Sequence, residues 1–156
     1  MVAIAECEAV RNELMESSPF TAADLGSVSL LPGLYVIWVE NADKLCLKVG
    51  IAGPRRKDGL RGRLRLHFSS NPDNSVLARH MIADATPAWA HEFNFRTRAE
   101  RAAFLKSKCC FRTLELRGID EVSLRSIESS IEDVLRPRYC SRVGQRRAVS
   151  TPLRQP

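Results

Sequence analysis

No apolar run in this 156-residue sequence approaches the ~20 residues that a membrane-spanning helix needs. The N-terminal stretch MVAIAECEAVRNELMESS is acidic and helix-like, and it lacks the basic and apolar regions of a signal peptide. We therefore expect an intracellular, cytoplasmic protein that makes no use of a membrane.

The five cysteines are odd in number and include no C-x-x-C pair with which a zinc site would begin. Zinc held by scattered cysteines together with His67, His80 or His91 is one interpretation. Reduced, mostly buried thiols are the better one, because they suit an intracellular protein.

Acidic side chains are scarce in most of the chain, and the formal net charge is +6. Residues 1–40 hold one basic and six acidic side chains, whereas residues 41–156 hold 23 basic and 12 acidic ones. Such an excess attracts polyanions through the summed potential and counterion release. Charge alone leaves two explanations open, nucleic-acid binding and a surface that is basic for solubility.

Apolar periodicity and turn residues divide the chain into short elements. A helix is predicted over 3–16, with Ile4, Val10 and Leu14 facing inward. Two strands, 33–40 and 45–51, form a hairpin around the turn NADK. A helix follows over about 60–68, with an apolar face of Leu60, Leu64 and Phe68.

The second half of the chain is likewise divided into short helices and strands. SVLARHMIAD is predicted to be a helix capped by Ser75, and HEFNF a short strand or an extended edge. Thr97 begins a helix with the spacing of a capping box to Glu100. CCFRTLEL is the third strand, and a helix runs from Asp120 to Leu135. Its buried face consists of Leu124, Ile127, Ile131 and either Val134 or Leu135.

Length and element order together predict one α/β (α+β) domain with a small, largely antiparallel three-stranded sheet flanked by helices. No internal repeat, zinc finger or helix-turn-helix signature is visible. The segment VGQRRAVSTPLRQP shows no apolar periodicity and is predicted to be a mobile basic tail.

Five polar side chains lie on or beside apolar elements. Tyr35 and Lys48 belong to adjacent strands, Arg63 and His67 share a helix face, and Glu128 borders the apolar face of the last helix. Together they suit phosphodiester hydrolysis, since Arg fits phosphate, a carboxylate holds Mg²⁺, and a phenol or imidazole takes a proton from water. Each also has an ordinary structural explanation, such as a core tyrosine or a surface arginine.

The order and spacing of four segments favour the catalytic interpretation. They are GLY (33–35), KVG (48–50), RGRLRLHF (61–68) and IESSIEDVLRPRYC (127–140), the last with Glu128 nine residues before Pro137. In this order the sequence resembles the GIY-YIG nuclease superfamily over about residues 32–140. It departs from the family pattern at Lys48, where tyrosine is usual, and at Cys140, where asparagine is usual.

The resemblance implies a GIY-YIG-like nuclease domain over 32–142, which leaves an N-terminal helical extension over 1–31 and the tail over 143–156. It also implies metal-dependent DNA cleavage with Mg²⁺ (or Mn²⁺) as cofactor. Tyr35 would be the general base or orient the attacking water, Lys48 would assist it, and Arg63 would neutralise the phosphate. Glu128 would hold the metal ion, and His67 would bond Tyr35 or share the proton transfer.

The basic segment PRRKDGLRGRLR suggests how DNA would be held. Backbone clamps are predicted at Arg55, Arg56, Lys57, Arg61, Arg65 and Arg138. A solvated basic loop is the alternative for these residues. Because no specificity element is visible, three alternatives stay open: the domain cuts with low specificity, forms a homodimer, or relies on a partner protein that supplies specificity. The alternative function is a catalytically weak or inactive nucleic-acid-binding module of the same fold.

Overall fold

The computed structural model describes residues 4–40 and 45–140, so the predicted turn NADK and the predicted tail lie outside the described residues. The elements in chain order are α1 (Ile4–Glu16), a 3₁₀-helix (Ala22–Ser27), β1 (Gly33–Val39), β2 (Cys46–Ala52), α2 (Gly59–Ser69), α3 (Val76–Asp84), a 3₁₀-helix (Ala88–Ala90), α4 (Arg98–Lys108), β3 (Cys109–Glu115) and α5 (Glu121–Leu135).

The three strands form one antiparallel sheet in the order β2-β1-β3. β1 is central because its residues are almost all apolar and are buried on both faces, as the run GLYVIWV leads one to expect. Helices flank the sheet, and the predicted α+β class is confirmed. None of the helices within the described ranges is long and apolar enough to cross a membrane.

The sheet separates two apolar cores. On one face, Tyr35 and Ile37 of β1 pack with the predicted apolar side of α2, which is Leu60, Leu64 and Phe68. On the other face, Leu34 and Val36 pack with α5 through Leu124, Ile127 and Ile131. Burying both faces of β1 fixes its register, because a slip of one residue would exchange the two cores.

Polar side chains fix where the later helices begin. Ser75, Thr97 and Asp120 each accept a hydrogen bond from the backbone N–H three residues on, at 3.1, 3.3 and 2.9 Å. The sequence predicts the caps of α3 and α4, whereas for α5 it predicts only that the helix starts at Asp120. α5 closes at Arg136, just before Pro137, with a left-handed residue (φ 47°).

Two details of the sequence-based prediction change, and one alternative is decided. Ile4 is 80% exposed, because the buried side of α1 is formed by Cys7 and Leu14 instead. Of the two alternatives for the end of α5, Val134 is 55% exposed, and the partly buried Leu135 takes the inner position.

The segment HEFNF forms no strand. Its aromatic rings are used for packing: Phe93 and Phe95 both contact Phe104 of α4, with ring centroids 5.4 and 5.0 Å apart. In HEFNF the alternation of aromatic and polar residues therefore belongs to a loop that covers the core, although the same alternation is typical of a strand.

α1 packs against α5 and β3, and its Leu14 is fully buried in the second core. The predicted N-terminal extension is therefore part of the same packed unit.

Candidate active site

A cleft of about 400 Å³ opens beside β2, one of the two edge strands of the sheet. It is lined by Tyr35, Lys48, Ile51, Gly53, Arg55, Arg56, Arg63, Val76, Glu121, Arg125 and Glu128. Four of the five residues predicted to be catalytic are among them, and they come from β1, β2, α2 and α5. The fold thus brings together residues that are up to 93 positions apart, from Tyr35 to Glu128.

Tyr35 forms the floor of this cleft, where the central strand positions it. It pairs with Gly50 across the sheet, and a β-carbon on Gly50 would overlap the Tyr35 hydroxyl. The glycine of KVG therefore leaves the space in which the phenol of GLY lies. Burial raises the pKa of Tyr35 to about 12, although the charge and a hydrogen bond of Arg63 act in the opposite direction.

Lys48 projects from the same face of the sheet as Tyr35. Its pairing partner on β1 is Ile37, which lies two residues from Tyr35, and opposed residues share a face. Lys48 is only 2% exposed. Burial lowers its pKa, and the carboxylates of Glu128 and Glu132 counteract that effect. A cation in this position supplies charge without a shell of bulk water.

Arg63 and His67 stand one turn apart on α2 but occupy different depths. Arg63 lines the cleft, whereas His67 is fully buried behind the phenol. The Tyr35 hydroxyl and His67 Nε2 are 2.6 Å apart, and His67 Nδ1 is 2.8 Å from Ser75 Oγ. Burial lowers the pKa of His67 well below 6.5, and the positive charges of Arg63 and Lys48 add to the effect. His67 is therefore a neutral imidazole at neutral pH.

Glu128 lies next to Ile127 on α5, at the border between the packed face and the cleft, and is 6% exposed. It is the buried carboxylate of the cleft, since Glu121 is 40% exposed and forms an ion pair with Arg125 at 2.8 Å. The described residues contain no group of three or more His, Cys, Asp or Glu side chains that would enclose a metal ion.

These donors suit one kind of metal ion. Mg²⁺ commonly binds through one or two carboxylates, substrate phosphates and water, and Mn²⁺ accepts the same oxygen ligands. The cleft lining offers carboxylate and phenol oxygens and no thiol or imidazole. It therefore fits an ion held jointly by Glu128 and a bound phosphate, and it does not fit zinc.

Basic side chains predominate in the cleft. Lys48, Arg55, Arg56, Arg63 and Arg125 line it against the two carboxylates of Glu121 and Glu128. Arg55 is exposed, while Arg56 is half-buried and pairs with Asp58 at 2.6 Å. Such a cleft attracts an anionic chain.

The other predicted clamps lie elsewhere. Lys57 and Arg65 are exposed but are not among the described residues that line the cleft. Arg61 donates from Nε to the Val28 carbonyl at 2.7 Å, which ties α2 to the preceding loop. Arg138 forms a salt bridge with Asp84 on α3 at 3.0 Å, so its guanidinium is engaged in the fold.

Cys140 stands where, by the resemblance to the GIY-YIG superfamily, asparagine is usual. It is 6% exposed, and the chain before it lies along β2, with the Arg138 and Tyr139 amides donating to the Cys46 and Leu47 carbonyls at 2.9 Å. The Cys140 thiol points to the Pro137 carbonyl, 3.9 Å away. The thiol thus packs against the end of α5, where an amide would hydrogen-bond more strongly.

Sequence reasoning missed Glu121 and Arg125 of the cleft and the contact of Ser75 with His67. Arg125 lies one turn before Glu128 on the same face of α5, a spacing that the sequence shows. Ser75 was predicted only as a helix cap, and its contact with His67 crosses a loop that periodicity does not describe.

Comparisons with protein-family models, curated proteins and solved structures returned no match for this chain. The GIY-YIG resemblance therefore rests on the four sequence segments and stays a prediction.

Proposed function

We propose that this protein is a divalent-metal-dependent endonuclease that hydrolyses DNA phosphodiester bonds through a GIY-YIG-type active site. One observation carries the proposal: Tyr35, Lys48, Arg63 and Glu128, chosen from separate sequence segments, line a single cleft. A chance set of polar residues from four elements has no reason to converge in this way.

The cationic groups account for how a phosphodiester would be held. The Arg63 guanidinium matches two phosphate oxygens, and its half-buried position reduces competition from water. Lys48 adds a second positive charge from the floor of the cleft. Both would stabilise charge that builds on the phosphate during attack, which is the main catalytic effect expected of fixed charges.

Tyr35 is the group that would act on the attacking water. Because its pKa is raised to about 12, the phenol is protonated at neutral pH and is a strong base once it loses its proton. Arg63 favours the phenolate, since its charge lowers the pKa of Tyr35 against the effect of burial. Tyr35 would then orient the water or take its proton, and the rate would rise with pH.

Glu128 would hold the Mg²⁺ or Mn²⁺ ion. Such an ion supplies Lewis-acid stabilisation of the phosphate and the leaving oxygen when it is bound. The glutamate is held in place because its helix packs through Leu124 and Ile127 on the sheet. Substitution of Glu128 should therefore remove metal-dependent activity without disturbing the core.

The rest of the cleft suits contact with the DNA backbone. Arg55, Arg56 and Arg125 would bind phosphates beside the scissile bond, and such contacts position DNA without reading its sequence. The proposed enzyme therefore has low intrinsic sequence specificity unless a second copy or a partner supplies it.

A nucleic-acid-binding module with little or no catalysis is the second candidate. The observation that favours it is the complete burial of Tyr35, whose exposed fraction is 0%. Tyr35 lines the cleft, but so little of its phenol is exposed that an attacking water has little access to it. The buried Cys140 thiol at the usual asparagine position points the same way.

Plasmid nicking by the purified protein in Mg²⁺ tests the proposal, with Glu128→Ala and an EDTA control beside the wild type. We expect wild-type nicking that both controls abolish, with DNA binding retained by Glu128→Ala. Salt-sensitive DNA binding without nicking by any of the proteins supports the binding module. Nicking that survives Glu128→Ala contradicts the site assignment.

A further inference from the structure

The buried histidine behind the phenol is held from both sides. His67 Nε2 contacts the Tyr35 hydroxyl at 2.6 Å, and His67 Nδ1 contacts the Ser75 hydroxyl at 2.8 Å. Both His67 and Ser75 have an exposed fraction of 0%. Bulk water therefore does not compete for either ring nitrogen, and the protein itself decides which one carries the proton.

Counting donors around Ser75 resolves the choice. The Ser75 oxygen already accepts the backbone N–H of Ala78 at 3.1 Å, as the N-cap of α3. Within the described residues, the remaining partner of its hydroxyl is His67 Nδ1. A buried hydroxyl proton is rarely left without an acceptor. The Tyr35 hydroxyl can turn its proton to the cleft that Tyr35 lines, whereas Ser75 is not among the residues that line it. Ser75 is therefore the hydroxyl that donates to Nδ1. A neutral imidazole that accepts at Nδ1 carries its proton at Nε2.

We propose that Ser75 is a positioning residue that fixes His67 as the Nε2–H tautomer, so that the imidazole donates a hydrogen bond to the Tyr35 oxygen. The tautomer follows from the contacts alone, whereas its role in cleavage rests on the proposed function.

The direction of this hydrogen bond determines what the phenol does. When Nε2–H donates to the Tyr35 oxygen, the hydroxyl proton of Tyr35 turns away from His67 and toward the cleft. Loss of that proton leaves a phenolate that still accepts a hydrogen bond from His67. His67 thus supports the base form of Tyr35 and does not itself take the proton.

The tautomer is measured directly by ¹⁵N NMR of the imidazole rings in the intact, metal-free protein. The chain has three histidines, and a His67→Gln variant assigns the signal of His67. Near neutral pH, we expect the ¹⁵N signals of His67 to have the pattern of an imidazole that is protonated at Nε2 and unprotonated at Nδ1, the Nε2–H pattern. The Nδ1–H pattern would overturn the proposal even if the protein proves to be a nuclease. An Nε2–H pattern would support it even if no nicking is found.

The role in cleavage is tested with Ser75→Gly. Glycine removes the hydroxyl but is tolerated at an N-cap, so α3 should be retained. We expect the His67 signal to lose its pure Nε2–H pattern. We also expect the nicking rate to fall at least about tenfold, the loss seen when metal-ligating histidines lose an orienting partner.

Two further variants separate positioning from folding. Ser75→Thr keeps a hydroxyl, and it should restore both the NMR pattern and most of the rate. Thr97→Gly removes the matching cap of α4 and should leave both unchanged. An unchanged tautomer in Ser75→Gly, or an equal loss of rate in Thr97→Gly, would show that Ser75 acts only as a helix cap.

Discussion

The phenol of Tyr35 lies across Gly50, its pairing partner on the edge strand, in space that any β-carbon would fill. This contact connects the two short motifs GLY and KVG. GLY supplies the ring of Tyr35, and KVG supplies the space above Gly50 in which the ring lies. The contact also explains why a polar aromatic residue stands within an apolar strand: the phenol lies over Gly50, and Tyr35 lines the cleft.

Gly50→Ala should therefore disable the site. Its methyl group would overlap the Tyr35 hydroxyl, so either the ring or the strand must move. Overpacking of this kind typically costs about 1–3 kcal/mol in the free energy of unfolding. We expect that loss in denaturant unfolding together with loss of nicking.

Gly53→Ala is the matched control, because a β-carbon at Gly53 meets no atom within 4 Å. Its stability should stay within about 0.5 kcal/mol of the wild type. Equal effects of the two substitutions would mean that the gap under Tyr35 is unimportant.

The nicking rate should rise steadily with pH. Since the pKa of Tyr35 is raised to about 12, the phenolate fraction grows about tenfold per pH unit throughout the range in which the protein is folded. The measurement is the single-turnover nicking rate at constant Mg²⁺ from about pH 7 to pH 10. A plateau near neutral pH would instead indicate a base with an ordinary or lowered pKa.

Stability should fall in mild acid because of His67. The pKa of His67 in the folded protein lies well below 6.5. Below about pH 6.5, His67 is therefore protonated in the unfolded chain while it stays neutral in the folded protein. The contribution is lost at about 1.4 kcal/mol per pH unit as the pH falls below about 6.5, and above this pH it is constant.

Denaturant unfolding between about pH 5 and pH 7 measures this slope. His67→Gln should flatten it, while His91→Gln, which changes an exposed histidine, should leave it as in the wild type. A slope that His67→Gln does not alter would place the acid sensitivity elsewhere.

DNA affinity should depend on the arginines of the cleft and not on all arginines alike. Arg125→Ala removes a group that lines the cleft, so the slope of log affinity against log salt should decrease by ~1. Arg138→Ala should leave that slope unchanged and destabilise the fold, because Arg138 is bound to Asp84. The check is fluorescence anisotropy with a short duplex at several salt concentrations. A reduced slope for Arg138→Ala would contradict this expectation and would indicate that DNA contacts Arg138 near α3.

Much of the fold was predictable because local rules determine it. The structure has the three strands, the helix face of Leu60, Leu64 and Phe68, and the N-caps Ser75 and Thr97, all of which follow from periodicity and capping chemistry. The loop HEFNF was misjudged, since its rings pack on Phe104, which lies nine residues beyond Phe95.

The site was only partly predictable, for a similar reason. Motif order selected the residues that converge, but pairings across the fold decide what each one does. Arg138 was predicted to contact DNA, and the fold pairs it with Asp84, 54 residues away. Ser75 looked like a cap alone until the fold placed it beside His67. No local pattern in the sequence encodes such pairings.

The most direct test of the account is the rate of plasmid nicking by wild-type protein and by Tyr35→Phe at equal DNA occupancy. This substitution removes one buried oxygen and leaves the ring over Gly50. The account predicts nicking by the wild type and a loss of at least about a hundredfold in the variant, the lower bound of general-base catalysis. Equal nicking by the two proteins would contradict it.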